Sequence, residues 1–342
     1  MPKKILTLFF CTLVTFSYAQ NRVKVSYVNE LETYDEIEFI NTQKSEPIKQ
    51  YLRWYDYKSF WTKLNRFGLD VSEVAFVNWN AGGTNSISGL FNVDIKRVFE
   101  KGNIRWKNEL IAHYGINKQE GQGLRKTEDN LEINSTFGYR KDTLSHWFYS
   151  AKFNFNTQFS NGYTYPDTSK EISSIMAPGY LFLGIGAEYG GNIERLTFYG
   201  SPLTMKSTFV LNQELANEGA FGVTPAVIDE DGNVLKEGEN VRTELGVLLT
   251  NEFNAQLFEN IGFSNRLSLY SDYLNNFGNI DVNWELNFNF KVNEYVLAKL
   301  GSHLKYDDDV IIQEENADGD LVGIGPRVQW KQQLGIGVIV EL

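Results

Sequence analysis

Cysteine is almost absent from this chain of 342 residues, because the single one, Cys11, lies within a leading apolar segment. Disulfides and thiolate chemistry are therefore excluded from everything that follows the segment. The segment itself begins with Lys3 and Lys4, continues as an apolar stretch over 5–16 and ends in Ser17-Tyr18-Ala19. This order is that of a secretory signal peptide, which we predict over residues 1–19 with cleavage near Ala19.

Long hydrophobic runs are also missing. The stretch over 5–16 is well short of the roughly 20 residues that a spanning helix needs, which disfavours a retained anchor, and no later run approaches that length. Basic residues are in the minority, with 32 lysines and arginines, two of them in the signal, against 43 acidic residues. The mature chain is therefore acidic, and no nucleic acid is expected as a partner.

Proline is scarce and aromatic residues are abundant. The chain has 7 prolines against 24 phenylalanines, 18 tyrosines and 7 tryptophans. Aromatic side chains favour β-strands and proline interrupts them, so the composition indicates a strand-rich protein. A soluble β-sandwich and a membrane β-barrel share this composition, and the residue pattern has to distinguish them.

Strict alternation of apolar and polar residues marks the strands. Over 280–292 every even position is apolar and every odd position is polar or charged, and 147–160 repeats the pattern. Each segment exceeds the roughly 9–11 residues that a tilted membrane strand requires. The polar face mixes Asn, Lys, Glu and Asp, as expected of a wet lumen, so the pattern favours an antiparallel, up-and-down transmembrane β-barrel.

Twelve strands account for the chain beyond residue 66. The long connections, 161–177, 213–240 and 308–327, all fall at one end of such a barrel, whereas the turns at the other end are short. We therefore predict a signal peptide over 1–19, an N-terminal periplasmic extension or plug over 20–66 and an outer-membrane barrel over 67–342. The predicted strands are 68–80, 86–99, 104–117, 127–140, 146–160, 178–190, 195–212, 241–258, 262–274, 280–292, 295–307 and 328–342.

The final strand carries a second signal. Residues 334–342 alternate and end in an apolar residue, which resembles the C-terminal signature by which outer-membrane barrels are assembled. We expect the barrel-assembly machinery and the lipid of the outer membrane as partners.

A turn near the start of the barrel resembles a known family. Its motif is Asn-Trp, then Gly-Gly, then Asn-Ser, and this opening signature is similar to that of an uncharacterised outer-membrane barrel family of the Bacteroidota, domain of unknown function 3078. Later stretches over 106–115, 126–129, 157–159, 176–180, 201–204 and 306–309 are similar to the same family. The resemblance covers about 67–342 and implies an outer-membrane barrel, without an assigned activity. The signature residues here are Asn78, Trp79, Gly82, Gly83, Asn85 and Ser86.

Catalytic and metal motifs are not found in the sequence. His113, His146 and His303 lie in separate predicted strands or turns, and no pair of them has metal-ligand spacing. His113 lies on the polar face, whereas a barrel lipase would need its Ser-His-acid set facing the lipid. The segment 229–233 imitates the start of a calcium loop but lacks the distal Glu, so a hairpin turn is expected there. We expect no enzyme, no metal and no cofactor.

Two classes of function remain open. The first is a narrow channel for small polar solutes, and the second is a structural or scaffold barrel with a closed lumen, whose loops or extension bind a partner. Either would use the same candidate lumen-lining residues: Arg105, Lys107, Glu109, His113, Lys152, Asn154, Asn156, Asp281, Asn283, Glu285, Asn287, Asn289 and Lys291.

Overall fold

The computed structural model describes residues 59–76, 84–192, 195–229, 232–275, 277–310, 312–315 and 321–341. The predicted extension and the signal peptide lie outside these residues. Twelve long strands dominate the described part of the chain. They are β1 (Trp61–Val74), β2 (Ser86–Lys101), β3 (Ile104–Gln119), β4 (Leu124–Tyr139), β5 (Trp147–Thr157), β6 (Gly179–Asn192), β7 (Leu196–Phe209), β8 (Val241–Phe258), β9 (Ile261–Asp272), β10 (Asp281–Lys291), β11 (Val296–Tyr306) and β12 (Gln329–Glu341).

These strands form one closed antiparallel barrel in which each strand pairs with its neighbours in sequence. Closure is made by β1 and β12, which pair from Arg66 opposite Glu341 to Asp70 opposite Gly337. A closed sheet leaves no strand with unpaired backbone groups along its edge. The predicted twelve-stranded, all-β fold is confirmed.

The first strand differs from its expected bounds. It begins at Trp61, seven residues before the expected start, and ends at Val74. The segment 61–66 shows no clean alternation, yet it pairs with the C-terminal half of β2 from Trp61 opposite Phe99 onward. The partner strand fixes the start of β1, because β2 continues to Lys101 and its backbone groups need a neighbour.

Two long connections pack together at the end of the barrel away from the chain termini. The loop over 158–178 contains a two-stranded hairpin, Gly162–Tyr163 with Glu171–Ser173, and the loop over 210–240 contains helix α1 (Gln213–Asn217). The loops share a small apolar core of Ala177, Val210, Leu215, Ala216 and Val223. The backbone N–H of Leu211 also donates to the carbonyl of Met176 at 3.0 Å. We call this pair of loops the cap.

The hairpin expected around 229–233 is present inside the cap. Val227–Ile228 pairs with Val234–Lys236, and the side chain of Asp229 accepts from the backbone N–H of Asn233 at 2.7 Å. In the part of the chain that the structure describes, no helix has both the length and the apolar character that a membrane crossing requires.

Exposure is inverted relative to a soluble protein. Side chains on the outer face of the barrel are apolar and exposed, for example Leu334 at 78% and Ile185 at 66%. Most of the buried side chains instead are polar or charged, among them Glu188, Lys206 and Thr204. A soluble barrel would bury the apolar face, so this arrangement fits an apolar solvent outside and a polar interior.

The outer face also pairs its own polar groups. The indole N–H of Trp284 donates to Asn265 at 2.8 Å, and Asn265 donates to Asn251 at 3.0 Å. In the same way Trp330 donates to Ser302 at 2.9 Å. In hydrocarbon an unpaired polar group costs several kcal/mol, so these pairs would allow polar residues to remain on an outer wall that faces an apolar solvent.

Candidate functional site: the barrel lumen

The strand registers place every predicted lumen residue on the inner face. On β10 the odd-numbered residues face inward, because Glu285 lies opposite Arg266 and Asp281 reaches Lys206 across the interior. By the same alternation, the side chains of four more residues of β10 face inward: Asn283, Asn287, Asn289 and Lys291. On β3 the inward residues are Arg105, Lys107, Glu109 and His113, and on β5 they are Lys152, Asn154 and Asn156.

The most informative contact in the lumen joins opposite walls. Arg266 on β9 lies 3.1 Å from Glu109 on β3, and these strands are six positions apart in a ring of twelve. The same guanidinium lies 3.7 Å from Glu132 on β4 and 3.7 Å from Glu252 on β8. Arg266 therefore connects the wall formed by β8 and β9 with the opposite wall formed by β3 and β4.

This contact requires the barrel to be flattened. Strands about 4.8 Å apart that tilt by about 40° would give a circular barrel of twelve strands a backbone diameter of about 24 Å. An extended arginine and an extended glutamate fall well short of that span. The walls at β3 and β9 must therefore approach each other, and Arg266 divides the lumen into two halves.

One half, lined by β5–β9 and the ends of β3 and β4 away from the cap, is filled by side chains, and we call it the packed half. At the end away from the cap, Glu188 accepts from Arg105 at 2.6 Å and lies 2.8 Å from Lys107. The guanidinium of Arg105 stacks 3.8 Å from the ring centre of Phe148, which is itself buried. Phe148 fits because its neighbour on β4 is Gly138, where a Cβ atom would lie 3.2 Å from the ring.

Midway along the packed half, aromatic rings replace the charges. Tyr199, Leu248 and Tyr270 form a buried cluster with Phe182 packed against it. Tyr270 crosses the inner face at Gly246, where an added Cβ atom would lie 2.9 Å from its ring. Aromatic bulk over glycine fills a region that would otherwise hold water.

At the end of the packed half nearest the cap, one buried lysine contacts three carboxylates. The ammonium of Lys206 lies 2.7 Å from Asp281, 3.3 Å from Asp307 and 3.4 Å from Glu244. Asp281, Asp307 and Asp308 come close enough together to suit a metal ion, but Lys206 supplies a positive charge at the same place. Arg242 extends the network by contacting Glu244 and Asp309.

The other half, lined by β10–β12, β1, β2 and the parts of β3 and β4 that lie toward the cap, is partly accessible to solvent, and we call it the open half. Lys331 on β12 donates to Glu128 on β4 at 2.7 Å, with 47% of the lysine side chain exposed. His303 lies 2.6 Å from Asn283 and 3.6 Å from Glu285, which is 34% exposed. At these positions the lining is polar and reached by solvent.

Sequence reasoning missed the residues that divide the lumen. Arg266, Lys206, Glu132 and Glu188 were not among the candidates, although all lie within predicted strands. Their alternation with apolar neighbours marks them as inward-facing. That signal could have found each residue, but not its partner across the barrel.

Four of the six signature residues, Asn78, Trp79, Gly82 and Gly83, lie outside the described residues. Asn85 accepts from the backbone N–H of Phe76 at 2.5 Å, and its carbonyl accepts from Glu120 at 2.8 Å. It thereby joins both sides of the β1–β2 connection to the β3–β4 turn. Ser86 opens β2 opposite Val74.

Comparison with known proteins finds one family model that matches part of the chain. A family model described as "Protein of unknown function (DUF3078)" matches residues 71–163, which is β1 to the loop after β5. The chain is similar to that family over this segment, and the resemblance over the later strands remains a prediction. No curated protein sequence matches the chain.

Three solved structures resemble the barrel. The translocator domain of the autotransporter NalP from Neisseria meningitidis is 10% identical with a TM-score of 0.33, covering 82% of this chain and 87% of its own. The NanC porin is 8% identical with a TM-score of 0.34, and the match covers 81% of this chain and 98% of the porin. An outer-membrane channel from Pseudomonas putida F1 is 9% identical with a TM-score of 0.34, covering 82% and 94%. The assignment as a closed barrel stands on the strand pairing itself.

Proposed function

We propose that the mature chain spans an outer membrane and provides a narrow, off-centre conduit for small polar solutes along the open half of its lumen. The membrane part of this proposal is supported by the inverted exposure of the barrel. Exposed apolar side chains cover the outer face of the barrel. Aromatic rings cluster at its periplasmic end, where the ring centre of Trp61 lies 5.3 Å from that of Phe99 and 6.0 Å from that of Trp106. Such a band, bordered by aromatic residues, is typical of transmembrane barrels.

A fractionation experiment tests membrane residence. We expect the protein in the outer-membrane fraction and a shift in gel mobility on heating, because a closed barrel resists unfolding until it is heated. Recovery of the mature protein from the periplasm without detergent would contradict the proposal.

The conduit is supported by the difference between the two halves. Buried ion pairs and aromatic rings fill the packed half, and the cap lies at the external ends of β5–β8, which form its wall. The open half is lined by polar groups that are partly exposed, and it has room at Gly335, where an added Cβ atom would meet nothing closer than 3.9 Å. It is narrower at Gly337, where that atom would lie 1.8 Å from Asp70. The proposed path for water and small solutes therefore passes Gly335.

Single-channel recording in a planar bilayer tests the conduit. We expect a small conductance that Gly335→Trp reduces strongly, because the indole would stand in the open half. Gly89→Trp is the matched control: it lies on the outer face, where an added Cβ atom has nothing within 4 Å, and conductance should persist. Equal conductance in both variants would place the ion path elsewhere and overturn the proposal.

A scaffold barrel with a closed lumen is the second candidate. The observation that favours it is the Arg266 bridge, which joins opposite walls. A correctly assembled barrel without conductance in lipid bilayers would support this function, with the cap or the N-terminal segment as the binding surface. We propose no enzymatic role: among the described residues, no serine hydroxyl is hydrogen-bonded to His113, His146 or His303.

A further inference from the structure

Cationic side chains cluster on one side of the open half. The inward residues of β11 and β12 between 297 and 337 include Lys299, His303, Lys305 and Lys331 and no acidic residue. Carboxylates of the strands beside them approach two of these cations, with Asp70 at 3.9 Å from Lys299 and Glu285 at 3.6 Å from His303. The inward residues of β4, from Glu128 to Gly138, include Glu128 and Glu132 and no basic residue, and the ion pair of Lys331 is the one that reaches β4 among the described contacts of these four cations.

One ion pair spans the open half. Lys331 and Glu128 lie on strands four positions apart in the ring, yet the lysine ammonium lies 2.8 Å from one carboxylate oxygen and 2.7 Å from the other. A solute at this level of the open half therefore lies between a cation on β12 and a carboxylate on β4.

The pair that spans the open half can open. An ion pair that water and salt reach is weak, because both compete for its partners. Lys331 is 47% and Glu128 17% exposed, whereas the packed-half residues Arg105 and Glu188 are 3% and 4% exposed. Lys331 can therefore rotate away from Glu128, and a solute that passes between the two residues must separate them.

We propose that the open half selects small zwitterionic solutes, which carry a carboxylate and an ammonium group a few bonds apart. This inference rests on the proposed conduit. Such a solute replaces both partners at once: its carboxylate accepts from Lys331 and its ammonium donates to Glu128. A solute with one charge satisfies one wall residue and leaves the other unpaired, and a neutral solute compensates neither.

Swelling of lipid vesicles that contain the purified full-length protein tests the selection. Glycine and its neutral isomer glycolamide have the same atoms and nearly the same size, and rates in protein-free vesicles are subtracted. We expect glycine to enter several-fold faster through the unaltered protein. Lys331→Glu should abolish the preference, because both members of the pair are then acidic, and the exchanged pair Lys331→Glu with Glu128→Lys should restore it.

Two controls separate a loss of selection from a loss of folding. Lys236→Glu reverses the same charge in the external hairpin, with 68% of the side chain exposed, and should leave the preference unchanged. Heat-modified gel mobility shows whether each variant has closed its barrel. If Lys331→Glu does not assemble, Lys331→Gln keeps the volume and should reduce the preference.

The outcomes distinguish this inference from the conduit itself. If both solutes enter at equal rates and Lys331→Glu changes neither rate, the selection is wrong while the conduit stands. If neither solute enters and the planar bilayer shows no conductance, the conduit is wrong and the selection fails with it.

Discussion

Lys206 and Lys331 make the same kind of contact in two different surroundings. Each is a lysine on the inner face of a strand, and each has a carboxylate oxygen at 2.7 Å from its ammonium. Lys206 is 4% exposed and contacts three carboxylates in the packed half, whereas Lys331 is 47% exposed and contacts one in the open half. Burial therefore decides whether a lumen ion pair is a fixed part of the wall or an exchangeable one.

The largest effect is expected at the buried lysine. Lys206→Ala leaves the carboxylates of Glu244, Asp281 and Asp307 without their shared cation, and removal of one partner from a buried pair costs about 3–5 kcal/mol. Urea titration of refolding in lipid vesicles measures the loss. If Lys206→Ala lowered the free energy of unfolding less than Lys331→Ala does, the packed half would be wet and the two halves would not differ.

The next effect concerns the outer wall around the open half. Leu286 faces outward in the middle of β10, and Leu286→Arg should cost about 2–4 kcal/mol near the bilayer centre. Its neighbour Asn287 faces inward, so Asn287→Arg should refold nearly normally and alter conductance. If both variants were equally destabilised when refolded in lipid vesicles, the assignment of Leu286 to the lipid-facing side and of Asn287 to the lumen would be wrong.

Two inward-facing glycines, Gly246 in the packed half and Gly335 in the open half, differ in the room around them. At Gly246 an added Cβ atom would lie 2.1 Å from the carbonyl oxygen of Ser271, so Gly246→Ala should cost about 1–3 kcal/mol through overpacking. At Gly335 the nearest atom would be 3.9 Å away, and Gly335→Ala should be close to neutral. Thermal unfolding midpoints of the two variants give the comparison, which fails if the Gly335 variant is the less stable one.

The smallest effect is expected at the exchangeable pair. Lys331→Ala should cost no more than about 1 kcal/mol, because water solvates Glu128 when the lysine is removed. The same urea titration as for Lys206 measures it. A loss of several kcal/mol would mean that the Lys331 pair holds the barrel together and cannot open for a solute.

Most of the fold could be predicted from local pattern. The twelve strands, their antiparallel order and the long loops at one end follow from the alternation and from the spacing of turns, since a strand with one wet face needs no distant information. The start of β1 could not be predicted in this way. It depends on β2, which extends to Lys101 and provides the pairing partner for Trp61.

The lumen could be predicted only in part. Alternation places Glu109 and Arg266 on inner faces, but nothing local states that β3 and β9 approach each other. Phe148 shows the same limit, because an apolar residue on a polar face is explained only by Gly138 beside it and by Arg105 above its ring. Helix α1 within the long loop was likewise not expected.

The sequence by itself determined that this chain forms a barrel with an apolar outer face and a polar inner face, because side-chain direction along a strand alternates by geometry alone. The tertiary structure decided how the polar interior is divided. Whether a lumen charge is buried with three partners, as Lys206 is, or exposed with one, as Lys331 is, depends on the shape of the closed sheet and on residues more than a hundred positions away, such as Asp307 and Glu128. Electrostatic energy depends on those distances and on access to water, and neither is encoded in a local pattern.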